Sequence, residues 1–478
     1  MFDDLRGFID KVKELGEYKV IEGADWDLEI GVITEWQAGI PGSPLLLFDD
    51  IKGFPKGYRV VANLFGANNR AAFALGLPTD ASKLDQVKLW RKIMRDLKPI
   101  PPVKVKSGPV MENIKTGKEV DLFAFPVPRW HQRDGGKYIG TGDVVIIKDP
   151  DEGWVNLGTY RVQIHKKDTA TIYMSPGKHG DIIRRKYWAK GKSCPAAVSC
   201  GQEPMLFAWA LFAPPWGVEE YAMAGGVKKK PIEVIEGVTT GLPIPATAEI
   251  VLEGEILPPG IEDLQEGPFG EWTGYYASGA RSEPAFKVKS ILHRHGPIIQ
   301  GNAPVPFPLP NALGHDLQRS AALWDILDEQ ISGVRGVWVL DGAGDFSGLI
   351  ISLEQKYAGH AIQAGMTAAG SRLSYMLRFV IVVDEDIDPT NWPEVVGALG
   401  TRCDPESSIS IIKGCWGSPL DPRLPPEKRS RGQFDHSVAI ILACKPYHWM
   451  KEFPPSTKTS PEVMGKIKEK WGKLFQIP

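Results

Sequence analysis

Cysteine is scarce in this sequence, net charge is nearly absent and long apolar runs are missing, and each shortage removes a class of protein. The five cysteines, Cys194, Cys200, Cys403, Cys415 and Cys444, are odd in number and none stands in a C-x-x-C pair. A thiolate zinc site or a secreted disulfide framework is therefore not expected, and a reducing cytoplasm fits best. Lys and Arg total 56 against 58 Asp and Glu, a formal charge of -2. With no basic excess, nucleic-acid binding is not indicated. No uninterrupted apolar stretch reaches the roughly 18 residues that suggest a membrane span. The G-x-x-x-x-G-K-[ST] loop, H-E-x-x-H and G-x-S-x-G are also missing, which withdraws support from nucleotide hydrolysis, zinc proteolysis and common serine hydrolase chemistry. Gly140-Thr-Gly142 begins like a dinucleotide fingerprint without its third glycine, and Gly342-Ala-Gly344 leads into a glycine that is off register by one, so both read as turns. There is no internal repeat and no low-complexity tract.

What the chain has in quantity is glycine and proline, 51 and 40 of 478 residues, together with 15 tryptophans. This length exceeds one ordinary core and predicts two or three loop-rich domains. Residues Met1 to Glu17 read as an amphipathic helix with Leu5, Phe8, Ile9, Val12 and Leu15 on one face and Asp3 or Asp4 as cap, not as a signal peptide. Pro99, Pro101, Pro102 and Pro109 bracket an extended stretch and set a boundary near residue 110. Beyond it, short alternating runs such as Asp143-Val-Val-Ile-Ile-Lys148 and Tyr160-Arg-Val-Gln-Ile-His165 predict antiparallel β-structure, in the form of a barrel. After Pro304-Val-Pro-Phe-Pro-Leu-Pro310, helical spacing over Asp316 to Ile331 and apolar runs at Val337 to Leu340 and Phe379 to Val383 predict an α/β domain. Ser460 to Phe475, with Pro461 at a first helical position, predicts a terminal helix docking on its own domain or on a neighbouring subunit.

The residues that carry chemistry lie in the middle. Glu266-Gly-Pro-Phe-Gly-Glu271 sets two carboxylates on a stiff turn. A guanidinium lying between them, such as Arg161 of Asn156-Leu-Gly-Thr-Tyr-Arg161, would keep one ionised while the other exchanges protons, which suits proton transfer at carbon. Asn156, His179 and Glu220 offer an amide oxygen, an imidazole and a carboxylate, a mixed set suited to Mn²⁺ or Mg²⁺. On spacing alone, three separate structural groups are the commoner outcome.

Six strings occur together and in order: Asn156-Leu-Gly-Thr-Tyr-Arg161, Ser175-Pro-Gly-Lys-His179, Glu219-Glu-Tyr-Ala-Met-Ala-Gly225, Glu266-Gly-Pro-Phe-Gly-Glu271-Trp-Thr-Gly-Tyr-Tyr276, Gly359-His-Ala361 and Thr401-Arg-Cys-Asp-Pro405. In this combination the chain resembles the UbiD family of reversible decarboxylases over nearly its whole length. The resemblance implies an α+β multidomain fold: an N-terminal α/β domain over 1–110, a central split β-barrel that binds flavin over 111–310, a C-terminal α/β domain over 311–455 and an oligomerising helix over 456–478. It implies a prenylated FMN, an azomethine ylide in place of a hydride carrier, supplied by a flavin prenyltransferase. By position, Asn156, His179 and Glu220 match the family's divalent metal ligands, which with K⁺ anchor the cofactor phosphate. Glu220 is preferred to its neighbour Glu219 because it directly precedes Tyr-Ala-Met-Ala-Gly. Thr159, Tyr160, Arg161 and Lys178 match flavin contacts, and Arg378 stands where a lysine near the phosphate is expected. Arg161, Glu266 and Glu271 match the family's Glu-Arg-Glu network, with Glu271 as proton donor.

His315 and His436 resemble positions held by histidine in relatives that act on hydroxybenzoates, where imidazole can accept a phenolic proton. A core histidine with a backbone partner is an equal expectation for each. The reading is thus a carboxy-lyase for a hydroxylated benzoate, cytoplasmic and homodimeric or homohexameric, taking the aromatic acid or CO₂. The alternatives are a heteroaromatic, unsubstituted aromatic or acrylic acid, and a non-catalytic flavin-binding subunit.

Overall fold

The computed structural model describes residues 1–38, 40, 42–66, 68–212, 214–302, 304–306, 315–340 and 348–475. Near the start, the Asp4 carboxylate accepts from the Gly7 amide at 2.8 Å and caps the helix Leu5–Glu14, whose Leu5, Phe8, Ile9 and Val12 turn inward at helical spacing. Leu15 continues that pattern in sequence but falls on the C-cap, where the backbone turns away, and is exposed. The helix shares a core with a four-stranded sheet ordered Tyr18–Glu22, Leu45–Asp49, Arg59–Ala62 and Ile298–Gln300. The last strand comes from far down the chain and pairs parallel to Arg59–Ala62.

The middle of the chain forms a curled ten-stranded sheet. Its main path runs Lys137–Gly140, Arg161–Lys166, Thr169–Tyr173, Arg281–His293, Ile250–Ile256, Cys194–Cys200, Asp143–Lys148 and Val155–Gly158. Asn113–Thr116 and Asp263–Glu266 also pair with the long strand Arg281–His293. Alternation along Asp143–Lys148 shows why both faces are covered: Val145 and Ile147 enter the core inside the curl, while Val144 and Ile146 enter the core shared with surrounding helices. The register between Ile250–Ile256 and Arg281–His293 shifts at Glu253/Gly254, where a Cβ on Gly254 would stand 1.9 Å from the Lys287 carbonyl. Only glycine admits this approach, and the irregularity bends a sheet that must curl.

The third unit is a five-stranded sheet ordered Val334–Val339, Gly348–Leu353, Phe379–Asp384, His436–Ala443 and Ile409–Cys415. Phe379–Asp384 is parallel to both neighbours and buried beyond its first residue, as expected for the central strand of an α/β sheet. Its helix His315–Asp328 packs on Lys83–Asp96, where the Arg91 guanidinium lies 4.2 Å from the Trp324 ring centroid and pairs with Asp325 and Asp328. The chain is therefore an α+β protein of three units, with the curled sheet formed by the middle of the chain. The helix Pro461–Phe475 leaves Val463, Met464, Ile467, Trp471 and Leu474 exposed. Among the described residues no helix is long and apolar enough to cross a membrane.

Candidate active site

Arg161 opens the strand Arg161–Lys166, Glu266 closes Asp263–Glu266, and the turn after Glu266 returns Glu271 to the same guanidinium. Arg161 Nε and Nη2 donate to the two oxygens of Glu266, each at 2.7 Å, and Nη1 donates to Glu271 Oε1. All three side chains are buried. Burial works against the charge of Arg161, but Glu271 and Glu266 outweigh it and hold the guanidinium above its ordinary pKa. Burial pushes the Glu271 carboxyl up, opposed by Arg161 and by a hydrogen bond from Ser278. The result is an acid kept protonated further up the pH scale than a surface glutamate, beside a permanently charged group.

The turn itself is braced from a segment that sequence reasoning passed over. Gly270 N donates to Asp134 Oδ1 at 2.9 Å, Gly267 N to Gln163 Oε1 at 2.9 Å, and Gly135 N to the Pro268 carbonyl at 2.7 Å. A Cβ on Gly135 would stand 2.1 Å from the Gly267 carbonyl, so Trp130-His-Gln-Arg-Asp-Gly135 and the acidic turn fit only as a pair. Tyr138, fully buried, donates to Gln163 Oε1 or Glu266 Oε1, at 3.2 and 3.3 Å. The signal for this brace is the Asp134-Gly-Gly136 triplet, which propensity alone reads as an ordinary turn.

A second cluster lies on strand Val155–Gly158, which packs against two helices that begin with His179 and Glu220. Asn156 Nδ2 donates to Glu220 Oε1 at 3.0 Å, and Leu157 N to Glu220 Oε2 at 2.9 Å. Glu219 instead accepts from Val155 N at 3.0 Å. Asn156 Oδ1 is buried with no hydrogen-bond partner among the described residues. Burial pushes the Glu220 carboxyl up to about 8. His179 is pushed down to about 4, first by burial and then by the nearby charges of Arg372 and Lys178, and is neutral. Its Nε2 accepts from Arg372 Nη2 at 3.1 Å. An orphaned amide oxygen, a buried carboxyl and a neutral imidazole fit a divalent cation that prefers oxygen and nitrogen. Among the described residues no group of three or more His, Cys, Asp or Glu side chains is placed to hold a metal. A site here thus depends on the asparagine.

Around this cluster, Thr159 Oγ1 donates to the Asp143 carbonyl at 3.1 Å, and Tyr160 Oη accepts from Gly180 N at 3.1 Å. A Cβ on Gly158 or Gly180 would meet the Tyr160 side chain at 2.6 or 2.7 Å. Lys178 is the N-cap of the helix His179–Ala189, with Nζ 4.8 Å from the Tyr375 ring centroid. Arg378 pairs with Asp421 and donates to His436 Nδ1 at 3.3 Å. His436 Nε2 donates to the Trp416 carbonyl at 3.1 Å, so both of its nitrogens are engaged. The structure brings Arg161, Glu266 and Glu271 into one network and Asn156 and Glu220 into another, with His179 on the adjoining helix; Arg378 and His436 form a third group. His315 opens the helix His315–Asp328, and its side chain lies outside the described residues. Arg372, a guanidinium from the C-terminal unit, had no sequence signal beyond its charge.

Comparison with known families decides what this arrangement belongs to. Models of the N-terminal, Rift-related and C-terminal domains of 3-octaprenyl-4-hydroxybenzoate carboxy-lyase match residues 9–90, 102–306 and 315–443. The chain belongs to the UbiD family. It is 32% identical over 454 residues to the pyrrole-2-carboxylic acid decarboxylase of Pseudomonas aeruginosa, covering 92% of this chain and 91% of the relative. Among solved structures, the vanillic acid decarboxylase of Sedimentibacter hydroxybenzoicus superposes with a TM-score of 0.82 at 29% identity, covering 99% of each chain. An evolved dimeric form of the UbiD-class enzyme HmfF from Pelotomaculum thermopropionicum, in complex with prFMN, gives a TM-score of 0.82 at 26% identity over 97% of this chain and 98% of that one. As a UbiD-family member, the chain is a carboxy-lyase.

Proposed function

We propose that this UbiD-family protein catalyses the reversible, non-oxidative decarboxylation of an aromatic acid, a hydroxybenzoate in the first instance, with Glu271 as proton donor. The observation that carries it is the buried Glu266–Arg161–Glu271 network, in which burial favours the protonated form of Glu271, the fixed guanidinium opposes that push and stabilises the anion left when the proton is given up, and Glu266 balances the charge. Prenylated FMN, when bound, supplies an electron sink for the pair left on carbon as CO₂ departs. Glu271 then gives its proton to that carbon and recovers it from water or, in carboxylation, takes the proton from the ring. Arg161 fixes the carboxyl and offers charge to the substrate carboxylate, while Glu266 occupies two of its nitrogens and prevents full transfer of charge to Glu271.

Asn156, His179 and Glu220 would hold Mn²⁺ or Mg²⁺ and, with K⁺, the cofactor phosphate; Thr159, Tyr160 and Lys178 would line the flavin, and Arg378 would reach the phosphate by leaving Asp421. Vanillate is the substrate named for a relative of the same fold, and it favours the hydroxybenzoate reading, in which His315 and His436 meet the phenol. His436 does so by exchanging the Trp416 carbonyl for the substrate oxygen. The second reading, a heteroaromatic acid, is favoured by the pyrrole-2-carboxylic acid relative. A flavin prenyltransferase would supply the cofactor, and the exposed apolar face of Pro461–Phe475 would dock on a second copy to give a homodimer or homohexamer.

The test is CO₂ release from hydroxybenzoic, heteroaromatic and cinnamic acids by protein co-produced with a flavin prenyltransferase and kept from oxygen. Turnover of para-hydroxylated benzoates supports the first reading, and turnover of pyrrole- or furan-type acids alone selects the second. Glu271→Gln should keep its flavin and lose about 10²–10⁴-fold in kcat, the range of a general acid. Wild-type turnover in that variant would remove Glu271 from the chemistry.

A further inference from the structure

The carboxyl of Glu271 is held by more than its arginine. Ser278 lies on the segment that runs from the acidic turn into the strand Arg281–His293, and it is buried. Its hydroxyl donates to Glu271 Oε1 at 2.9 Å and accepts from Arg161 Nη2 at 3.1 Å. The backbone at Ser278 is fixed independently, because its carbonyl accepts from Arg281 Nη2 at 2.8 Å. Arg281 and Arg161 both lie over the Tyr173 ring, at 4.0 and 4.4 Å from its centroid.

This matters because of how Arg161 spends its donors. Glu266 takes Nε and Nη2 as a fork, so Glu271 receives only Nη1. One contact does not fix rotation of a carboxyl about its last bond. The serine hydroxyl adds the second contact, and both end on Oε1, which leaves Oε2 to carry the proton. Since the hydroxyl has one hydrogen and spends it on Glu271, it accepts from Arg161 without competing.

We propose that Ser278 is a positioning residue for the proton donor: it pins Glu271 Oε1 between its hydroxyl and Arg161 and so presents Oε2 to the reacting carbon. This rests on the assignment of Glu271 as donor. It also gives a direction of effect, because a hydroxyl donating to a carboxyl favours the ionised form and opposes the upward push of burial. Removing it leaves Glu271 a weaker acid with a looser orientation.

The experiment compares Ser278→Ala and Ser278→Thr in flavin-loaded protein, with Glu271→Gln in parallel. For Ser278→Ala the expected result is a fall of about tenfold in kcat, the worth of one hydrogen bond, with KM and flavin content unchanged. The alkaline limb of its kcat profile should move to higher pH, since that limb reports loss of the donor's proton. Ser278→Thr, which keeps the hydroxyl, should return kcat and the limb toward wild type. The proposal is overturned if Ser278→Ala keeps wild-type kcat and limb while Glu271→Gln is inactive. It is also overturned if Ala and Thr variants lose flavin or thermal stability equally, which would mark a packing role. Wild-type turnover in Glu271→Gln would instead withdraw the donor assignment, and this proposal with it.

Discussion

At Asp143 the protein buries a carboxyl completely, with no hydrogen-bond partner for either oxygen among the described residues. Burial raises its pKa well above the ordinary value, so the folded chain holds this proton more tightly than the unfolded one. The sign follows from linkage. The folded state binds the extra proton, so the contribution to stability is complete below the unfolded pKa of about 3.9 and is lost as pH rises toward the folded value. Asp143→Asn cannot ionise. In thermal melts of flavin-free protein it should exceed wild type at pH 8, by about 1–3 kcal/mol, and converge with it near pH 4. A constant difference across that range would mean that Asp143 is not held neutral by the fold. Asp143 was visible in the sequence only as the polar end of an apolar strand. Its burial depends on neighbours from Cys194–Cys200 and Lys137–Gly140, which are remote in the chain or reached through a turn.

Among the elements, the long strand Arg281–His293 and its partner Ile250–Ile256 set the curl that holds the site. Gly254→Ala would drive a Cβ into the Lys287 carbonyl, and the expected cost is about 2–3 kcal/mol, read as a lower denaturant midpoint at unchanged m-value. Wild-type stability in that variant would show that the irregularity relaxes at no cost. The helices beginning at His179 and Glu220 place side chains against one strand, and His179→Ala should purify with flavin and metal depleted together, by absorbance and metal analysis. Undiminished flavin would separate His179 from cofactor binding. These elements were legible to different degrees. Leu5–Glu14 and the strand Asp143–Lys148 follow from apolar period and capping, as local properties. The entry of Ile298–Gln300 into the N-terminal sheet does not, because three residues carry too little pattern to name a partner strand.

At the scale of the whole molecule, the C-terminal unit reaches the central one at the proposed phosphate side. Arg372 meets His179, Trp416 lies 3.4 Å from where a Gly177 Cβ would be, and Tyr375 lies under Lys178. The helix Pro461–Phe475 carries an exposed apolar face of Val463, Met464, Ile467, Trp471 and Leu474 among the described residues. Replacing Ile467 and Trp471 with Asp together should shift the protein to a smaller species by light scattering, and an unchanged mass would remove this helix from assembly.

The sequence by itself determined the family, the three-part α+β order and the identity of the charged groups, because motif strings, apolar period and turn residues are local or ordered along the chain. The tertiary structure alone decided that Arg161 gives a fork to Glu266 and one nitrogen to Glu271, that Ser278 closes that network, that Asp134 braces the turn, and that Arg372 meets His179. Hydrogen bonds between residues about a hundred positions or more apart depend on how sheets curl and units dock, and no spacing in the chain records that distance.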